Sequence, residues 1–349
     1  MDAFPAHPDE ITREWWGALL GRMPRAARWE PIGTGQVGDS VRFTLDMGEG
    51  AAPMTLAGKF AAADPTSRST AAMLGLYARE VRFYRKLAPQ LPIRTPRVLY
   101  AEIADDGARF CLIFEDLGPA RGGNQIAGCT LAEAREVVKA AAALHAPSWH
   151  NPAILGLDWL QPDPEAAARV RALYPQAQAV FRERYRDVLE PQYMALCEEL
   201  AEITASTERH SEPVSLVHGD FRLDNVLFDI KGGAEPLAVL DWQTLTIGNG
   251  LTDIGYFLGC GIGNALRRAH ERELLELYCA EMRARGVAMR LDDIWEDYVL
   301  GALHGVSTAV FSAAFVERTQ RGDANFLSMA RGACGLCLEH GSLARLKKG

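Results

Sequence analysis

Basic residues are in short supply: 37 Lys and Arg stand against 45 Asp and Glu, a formal charge of −8 over 349 residues. Binding to nucleic acid or to an anionic membrane depends on clustered Lys and Arg, so both partner classes are disfavoured. A small anionic ligand needs only a few local cations and is not excluded. The first sixteen residues carry neither a basic n-region nor an apolar h-region, so no secretory signal is expected there. Cysteine is sparse and odd in number. Cys111, Cys129, Cys197, Cys260, Cys279, Cys334 and Cys337 are scattered along a chain too large to need disulfide staples. They read as reduced thiols in a cytoplasmic protein. Cys334 and Cys337 form a C-x-x-C near His340, but no second pair completes a tetrahedral zinc site. Either they serve a metal or redox role, or they are small residues packed on a terminal helix. Nothing repeats with a period of about 20–50 residues, which excludes solenoids and propellers. Long uncharged runs are rare. Tyr298 to Val316 is one, free of Asp, Glu, Lys and Arg and near bilayer-spanning length. It contains His304, Ser307, Thr308 and Ser312, and reads as a buried central helix of a soluble, mainly helical domain rather than a membrane span.

What is present is ample apolar material. Hydrophobic residues make up 48% of the chain and charged ones 23%, enough for one large domain or two ordinary ones and too apolar for disorder. From Trp29 to Glu115 short strands dominate. Val41, Phe43 and Leu45 alternate with polar neighbours, Met54 to Phe60 is a second strand, and Phe110 to Phe114 is a compact apolar run. Between them Thr70 to Leu87 has helical spacing and ends before Pro89. Beyond Leu117 the pattern turns helical. Thr130 with Glu133 forms a capping box for a helix to Leu144, and Glu165 to Arg186 and Gln192 to Glu208 are further helices. Val214 to Val217 and Leu237 to Leu240 are strand-like interruptions. The expected organisation is α+β, with a small antiparallel-sheet lobe over residues 1–115 and a larger helical lobe over residues 116–349.

The segment Leu216-Val-His-Gly-Asp-Phe-Arg-Leu-Asp-Asn-Val-Leu-Phe228 is the most specific. His218-x-Asp220-x-x-x-x-Asn225 has the spacing of the catalytic loop of kinase-type phosphotransferases. One carboxylate there must accept or orient the proton of an attacking hydroxyl, and an amide oxygen must ligate magnesium without adding charge. Sixteen residues after Asn225, Asp241 ends an apolar strand, where a second metal ligand would bridge magnesium to phosphates. Gly33-Thr-Gly35-Gln-Val-Gly38 is a G-x-G-x-x-G followed by strand-like alternation, not by the helix that a dinucleotide fingerprint needs. That context suits a hairpin whose bare backbone N–H groups approach phosphate oxygens. Lys59 lies in the next strand and fails the phosphate-loop pattern, since no Gly stands five places before it and Phe60 follows. As a strand lysine it fits contact with the α/β-phosphates, oriented by Glu80 from the intervening helix.

With these residues in order, the chain resembles an aminoglycoside phosphotransferase/choline kinase-type small-molecule kinase with a protein-kinase-like fold, over about Ile32 to Leu258. Gly219 after His218, where protein kinases carry Arg, is similar to that group. Trp242-Gln243 and Leu144-His145-Ala146 ahead of Trp149 are similar to its ecdysteroid-kinase-like branch. The resemblance implies a nucleotide cleft near residue 115, with the backbone of Glu115, Asp116 and Leu117 as an adenine-holding hinge. It also implies Asp220 as catalytic base, ATP and Mg2+ as cofactors, Asn225 and Asp241 as metal ligands, and Lys59 with Glu80 on the phosphates. Arg222 stands two residues after the base. It resembles a γ-phosphate contact, and an ion pair with Asp224 is the other reading. Asp253 resembles an acid that buttresses the catalytic loop, and His218 resembles a buried, backbone-bonded histidine rather than a second base. His145 and Trp149 read equally as pocket lining or core, and Trp15-Trp16 as packing for an N-terminal helix.

The expected activity is therefore transfer of the γ-phosphoryl group of ATP to a hydroxyl of a small organic molecule. An antibiotic-modifying aminoglycoside kinase and a catalytically silent nucleotide-binding protein are the alternatives. Protein kinase activity is disfavoured, because Thr246-Ile-Gly-Asn-Gly250 leads straight to Asp253 with no activation segment ending in A-P-E. The sequence specifies neither the acceptor nor the oligomeric state.

Overall fold

The computed structural model describes residues 4–33, 37–206, 214–316 and 318–348. Contacts divide the chain into two compact units, Met1–Ala120 with Asp229–Leu245, and Arg121–Phe228 with Thr246–Gly349. The segment bearing Asp241 groups with the first unit.

Along the chain the first unit holds α1 (Arg13–Leu20), β1 (Ala26–Pro31), β2 (Gly38–Asp46), β3 (Met54–Ala61), α2 (Pro65–Met73), α3 (Leu76–Arg82), β4 (Val98–Ile103) and β5 (Phe110–Glu115). Next come β6 (Arg121–Gly122), α4 (Leu131–His145), α5 (Pro152–Leu155), α6 (Pro164–Tyr185), α7 (Pro191–Ser206), β7 (Ser215–Val217) and β8 (Val226–Asp229). The first unit resumes with a one-turn α8 (Ile230–Gly233) and β9 (Glu235–Val239). The chain closes with β10 (Thr246–Gly248), α9 (Leu251–Tyr256), α10 (Asn264–Ala284), α11 (Leu291–Gly301), α12 (Leu303–Phe315), α13 (Gln320–His340) and α14 (Ser342–Leu346).

The first unit is built on an antiparallel sheet ordered β1-β2-β3-β5-β4. The alternation read in β2 sends Val41, Phe43 and Leu45 to a core shared with Leu56, Phe60, Cys111 and Ile113. The N-terminal helix closes that face. Thr12 caps α1 by accepting from Trp15 N–H, and Trp16 inserts edge-on against Phe43 at 5.0 Å between centroids. The opposite face takes α3 and the turn that follows it, with Tyr77 on Phe110 and Tyr84 on Phe114 at 4.6 and 4.7 Å. β5 is covered on both faces, which explains its unbroken apolar run. The single helix expected over Thr70–Leu87 is a correction. Gly75, at φ 68°, breaks it into α2 and α3, and Phe83–Leu87 then widens into a π-turn.

The second unit is helical. The capping box at Thr130 and Glu133 forms as expected, and α4 ends on a buried His145. The long apolar stretch Leu291–Phe315 could cross a membrane by length and composition, yet half of its most apolar window is buried in the fold. It is not one helix: the chain steps at Ala302 between α11 and α12, with Val299, Val306, Ala309, Val310 and Ala313 buried. Glycine makes that step fit. A Cβ on Gly255 would stand 2.5 Å from Ala302 N, and one on Gly301 would stand 2.5 Å from Leu251 O. Only bare backbone lets α9 press so close to the α11–α12 junction. All seven cysteines are free thiols. Cys334 and Cys337 are buried on α13, where Cys334 Sγ faces Cys197 Sγ at 3.8 Å, in keeping with the packing reading.

Candidate active site

In the first unit, β1 and β2 pair antiparallel on either side of the glycine segment. Gly33 (φ 77°) ends one side and Gly38 opens the other, while Gly35 lies outside the described residues. Tyr77 of α3 fixes the loop's exit, donating its hydroxyl to Val37 O at 2.6 Å and accepting from Ala62 N–H at 3.2 Å.

Lys59 projects from β3 toward α3. Its Nζ is 2.8 and 2.7 Å from the two Glu80 oxygens and 3.0 Å from Asp241 Oδ1. Burial works against the ammonium, but the Asp241 and Glu80 carboxylates outweigh it and hold Lys59 firmly protonated. Burial also pushes the Glu80 carboxyl above its ordinary value, against the pull of Lys59. Asp241 adopts a left-handed backbone (φ 63°, ψ 67°), rare for a residue with a side chain and found where surrounding structure imposes it. The next residue supplies that constraint: Trp242 stacks flat on Phe83 at 3.9 Å, and its indole N–H donates to Val239 O. Both Glu80 oxygens are spent on Lys59, so Asp241, 29% exposed, is the carboxylate here that a divalent cation such as magnesium would meet.

The hinge residues are tied down by side chains. Arg94 donates to Glu115 at 2.6 Å and to both oxygens of Glu235, and Lys231 reaches the same two acids at 2.9 and 3.0 Å. The Arg94 and Lys231 bonds draw Glu235 down to about 2, and hydrogen bonds from Arg94 and Arg97 N–H overcome burial to lower Glu115. Asp116 takes a two-pronged contact from Arg42 at 2.8 and 3.2 Å, and Leu117 O accepts from Lys231 N–H. Both acidic side chains are occupied, so a ligand here would meet the backbone of Glu115, Asp116 and Leu117.

In the second unit, β7 delivers the chain to His218, Gly219 and Asp220. Gly219 turns left-handed (φ 82°), and Asp253 at the start of α9 clasps the turn, accepting His218 N–H at 2.7 Å and Gly219 N–H at 3.0 Å. His145 Nε2 stands 3.2 Å from Asp253, and His145 Nδ1 is 2.9 Å from Tyr278 OH. Burial raises Asp253, but the His145 hydrogen bond and the backbone donors outweigh it, so the carboxylate stays charged. Asp253 is therefore the buttress expected of it. His145 is buried in that support, while Trp149 is half-buried and packs edge-on to His150. His218 is buried too, and its Nδ1 accepts from Asp220 N–H at 3.2 Å, the backbone-bonded arrangement.

Asp220 is gripped on every side. Arg222 Nε lies 2.9 Å from Oδ1 and 3.1 Å from Oδ2, Asn225 Nδ2 donates to Oδ2 at 2.8 Å, and Tyr256 OH donates to Oδ1 at 2.9 Å. Burial would raise this carboxyl, but the Arg222 charge and these bonds hold it below its ordinary value. Asn225 also gives Nδ2 to Asp220 O at 2.8 Å, so its amide oxygen is the atom left to serve a metal. Of the two readings of Arg222, the ion pair is the one formed, with Nη1 on Asp224 Oδ2 at 3.1 Å. Three supporting residues carry no local sequence signal. Tyr256 looks like core, and His304 donates from Nε2 to Gly219 O at 2.7 Å across 85 residues. Buried Gln125 accepts Leu223 N–H and donates to Cys260 O, bracing the same loop. Of the expected residues, the structure gathers Lys59, Glu80 and Asp241 in the first unit and Asp220, Arg222 and Asn225 in the second.

Comparison with known proteins bears on the family and the fold. The sequence model of the phosphotransferase enzyme family matches residues 63–288. Among solved structures, choline kinase from Cryptosporidium parvum Iowa II superposes with a TM-score of 0.55 at 12% identity, covering 97% of this chain and 91% of that one. The GDP complex of wild-type aminoglycoside 2'-phosphotransferase-IIIa gives 0.53 at 14% identity, over 93% and 99%. At such identities the likeness is one of fold, and it is the protein-kinase-like α+β fold. Curated relatives match over shorter stretches. Acyl-CoA dehydrogenase family member 11 of Homo sapiens is 51% identical over 43 residues, 12% of this chain and 5% of that protein. Its Gallus gallus counterpart is 32% identical over 96 residues, 23% and 12% respectively. The matched stretches thus span a small fraction of those relatives' length.

Proposed function

The chain belongs to the phosphotransferase enzyme family, and from that premise we propose that it moves the γ-phosphoryl group of ATP to a hydroxyl of a small organic molecule, with Asp220 as base. The observation that carries the reading is the Asp220 carboxylate, 21% exposed and gripped by Arg222, Asn225 and Tyr256, which hold it anionic. An anion fixed by hydrogen bonds is prepared to orient a hydroxyl and take its proton without reorganising. As the acceptor oxygen bonds to the γ-phosphorus, the bond to the β-phosphate oxygen breaks, the hydroxyl proton passes to Asp220, and ADP leaves. The transition state is loose, so the chain contributes position and charge rather than covalent chemistry.

Each remaining residue has a place in this reading. Lys59, aligned by Glu80, meets the α/β-phosphates, and the backbone of Gly33 and Gly38 lies over them. Arg222 is positioned for the γ-phosphate, and the backbone of Glu115, Asp116 and Leu117 takes the adenine edge. Magnesium, held through Asn225 and Asp241, would neutralise phosphate charge. Support comes from the partly exposed Asp241 carboxylate and from the Asn225 amide, whose nitrogen is spent on Asp220. Aminoglycoside and choline phosphorylation belong to the neighbours named above, and they make amino alcohols and aminosugars acceptors to screen.

The test has two steps. Calorimetry with ATP and magnesium should give saturable binding, and a panel of hydroxylated acceptors should then raise ADP release. Nucleotide binding with no acceptor-dependent turnover across the panel would favour a silent nucleotide-binding protein instead.

A further inference from the structure

We propose that the acceptor is a hydroxyl-bearing molecule with an elongated apolar body, laid along one face of α12; the proposal rests on the kinase reading above and names its substrate class. The face starts at the base. His304, in the first turn of α12, donates to Gly219 O at 2.7 Å, and its ring stands edge-on to Tyr256 at 5.2 Å. Tyr256 in turn donates to Asp220. From there His304, Thr308, Phe311 and Phe315 follow at spacings of four, three and four, which align them along one side of the helix. The other side, with Val306, Ala309, Val310 and Ala313, is buried. Between His304 and Phe315 the helix rises about 16 Å.

Chemistry changes along that length. At the end that meets the Asp220 turn the face is polar, with His304 on Gly219 O and Thr308 one turn further on beside His304. At the far end Phe311 and Phe315 stack at 5.8 Å, and Phe315 is 56% exposed. Tyr174 joins α6 to this helix, donating to Ser307 Oγ at 3.2 Å and lying 4.9 Å from the Phe311 ring. The same α6 leaves Val170 and Leu173 exposed at 49% and 42%. A polar end beside the base and an apolar end one molecule's length away match a substrate with its hydroxyl at one end and hydrocarbon behind it. Exposed apolar surface continuous with a catalytic group marks a binding surface. The face also discriminates. α12 carries no Asp or Glu, so a polycationic aminosugar would find no carboxylate along it.

The experiment measures acceptor-dependent ADP release by the full chain with linear primary alcohols from butanol to dodecanol, and with an aminoglycoside. The expected result is a kcat/KM that climbs about fourfold per added methylene until the face is covered. Phe315→Ser and Phe311→Ser should each lower the dodecanol-to-butanol ratio at least about tenfold. Leu338→Ser, at an exposed apolar position on α13, should leave the ratio unchanged. Turnover of small polar hydroxyl compounds with no dependence on chain length, or a preference for the aminoglycoside, would overturn this proposal and leave the kinase reading standing. Absence of turnover with every acceptor would overturn both. A dimer in light scattering that Phe315→Ser disperses would assign the face to a second copy of the chain and also overturn it.

Discussion

Lys59→Met tests the buried charge cluster of the first unit. The substitution keeps an unbranched side chain of similar length and deletes only the ammonium. Lys59 Nζ lies within 3.0 Å of one Asp241 oxygen and both Glu80 oxygens, and the Glu80 side chain is 2% exposed. Removing one partner of a buried ion pair costs about 3–5 kcal/mol, because the other is left charged and dry. Asp241 is 29% exposed and rehydrates, so the loss falls mainly on Glu80 and the lower end, about 3 kcal/mol, is expected. Urea unfolding of wild type, Lys59→Met, Glu80→Gln and the double variant at pH 7 measures it. The double variant should recover about 2 kcal/mol, since a neutral amide no longer needs the cation. The pH dependence has a definite sign. Burial raises the Glu80 carboxyl, so its protonated form favours the fold below the ordinary value and that contribution fades as pH rises through the raised one. The Lys59→Met penalty should therefore be largest near neutrality and shrink as pH falls. Lys59 is itself raised, so in wild type its contribution persists through neutral pH. A single-variant loss below about 1 kcal/mol, or a double variant no better than Lys59→Met, would refute the reasoning.

Other consequences follow from the second unit and from the core. Tyr256→Phe removes a hydrogen bond to a charged group, so kcat should fall about 10- to 100-fold with KM for ATP within about twofold. In the Asp220→Asn background it should add little to the loss, as expected of a residue acting through Asp220; independent multiplication of the two losses would sink that role. Asp253→Asn trades a charged acceptor for an amide under two backbone N–H groups and should lower the unfolding midpoint. Because Asp253 is held below its ordinary value, its stabilisation is present above that value and lost as pH falls through the lowered one. The gap between wild type and Asp253→Asn should thus close in acid, and a gap independent of pH would contradict the assignment. Trp16→Ala empties the fully buried seat on Phe43 and should cost about 3–5 kcal/mol in urea unfolding.

Much of this was legible in the residues alone. The strand alternation of Val41, Phe43 and Leu45, the capping box at Thr130 and the spacing from His218 to Asn225 are local patterns, and local patterns survive into the fold. Lys59 and Glu80 could be paired from order alone, because a strand followed by a helix on its face brings such positions together. Illegible features depend on tertiary contact. Gly75 reads as a tolerated helical glycine until its left-handed φ is seen. β1 is exposed at every position, so no alternation announces it. Tyr256 sits in an apolar run and looks like core, yet its hydroxyl finds Asp220 36 residues earlier. The Arg94, Glu115, Lys231 and Glu235 ring joins four charges scattered over 141 residues, each of which alone resembles a solvated surface residue.

The most direct measurement of the central claim follows label from the γ-phosphoryl group of ATP into a pool of hydroxylated acceptors, with wild type beside Asp220→Asn. The account predicts a labelled phosphomonoester from wild type and a loss of about three or more orders of magnitude in the variant, with nucleotide affinity retained. Equal transfer by both proteins would remove Asp220 from the chemistry, and no transfer by wild type to any acceptor would contradict the assignment of a hydroxyl-directed kinase.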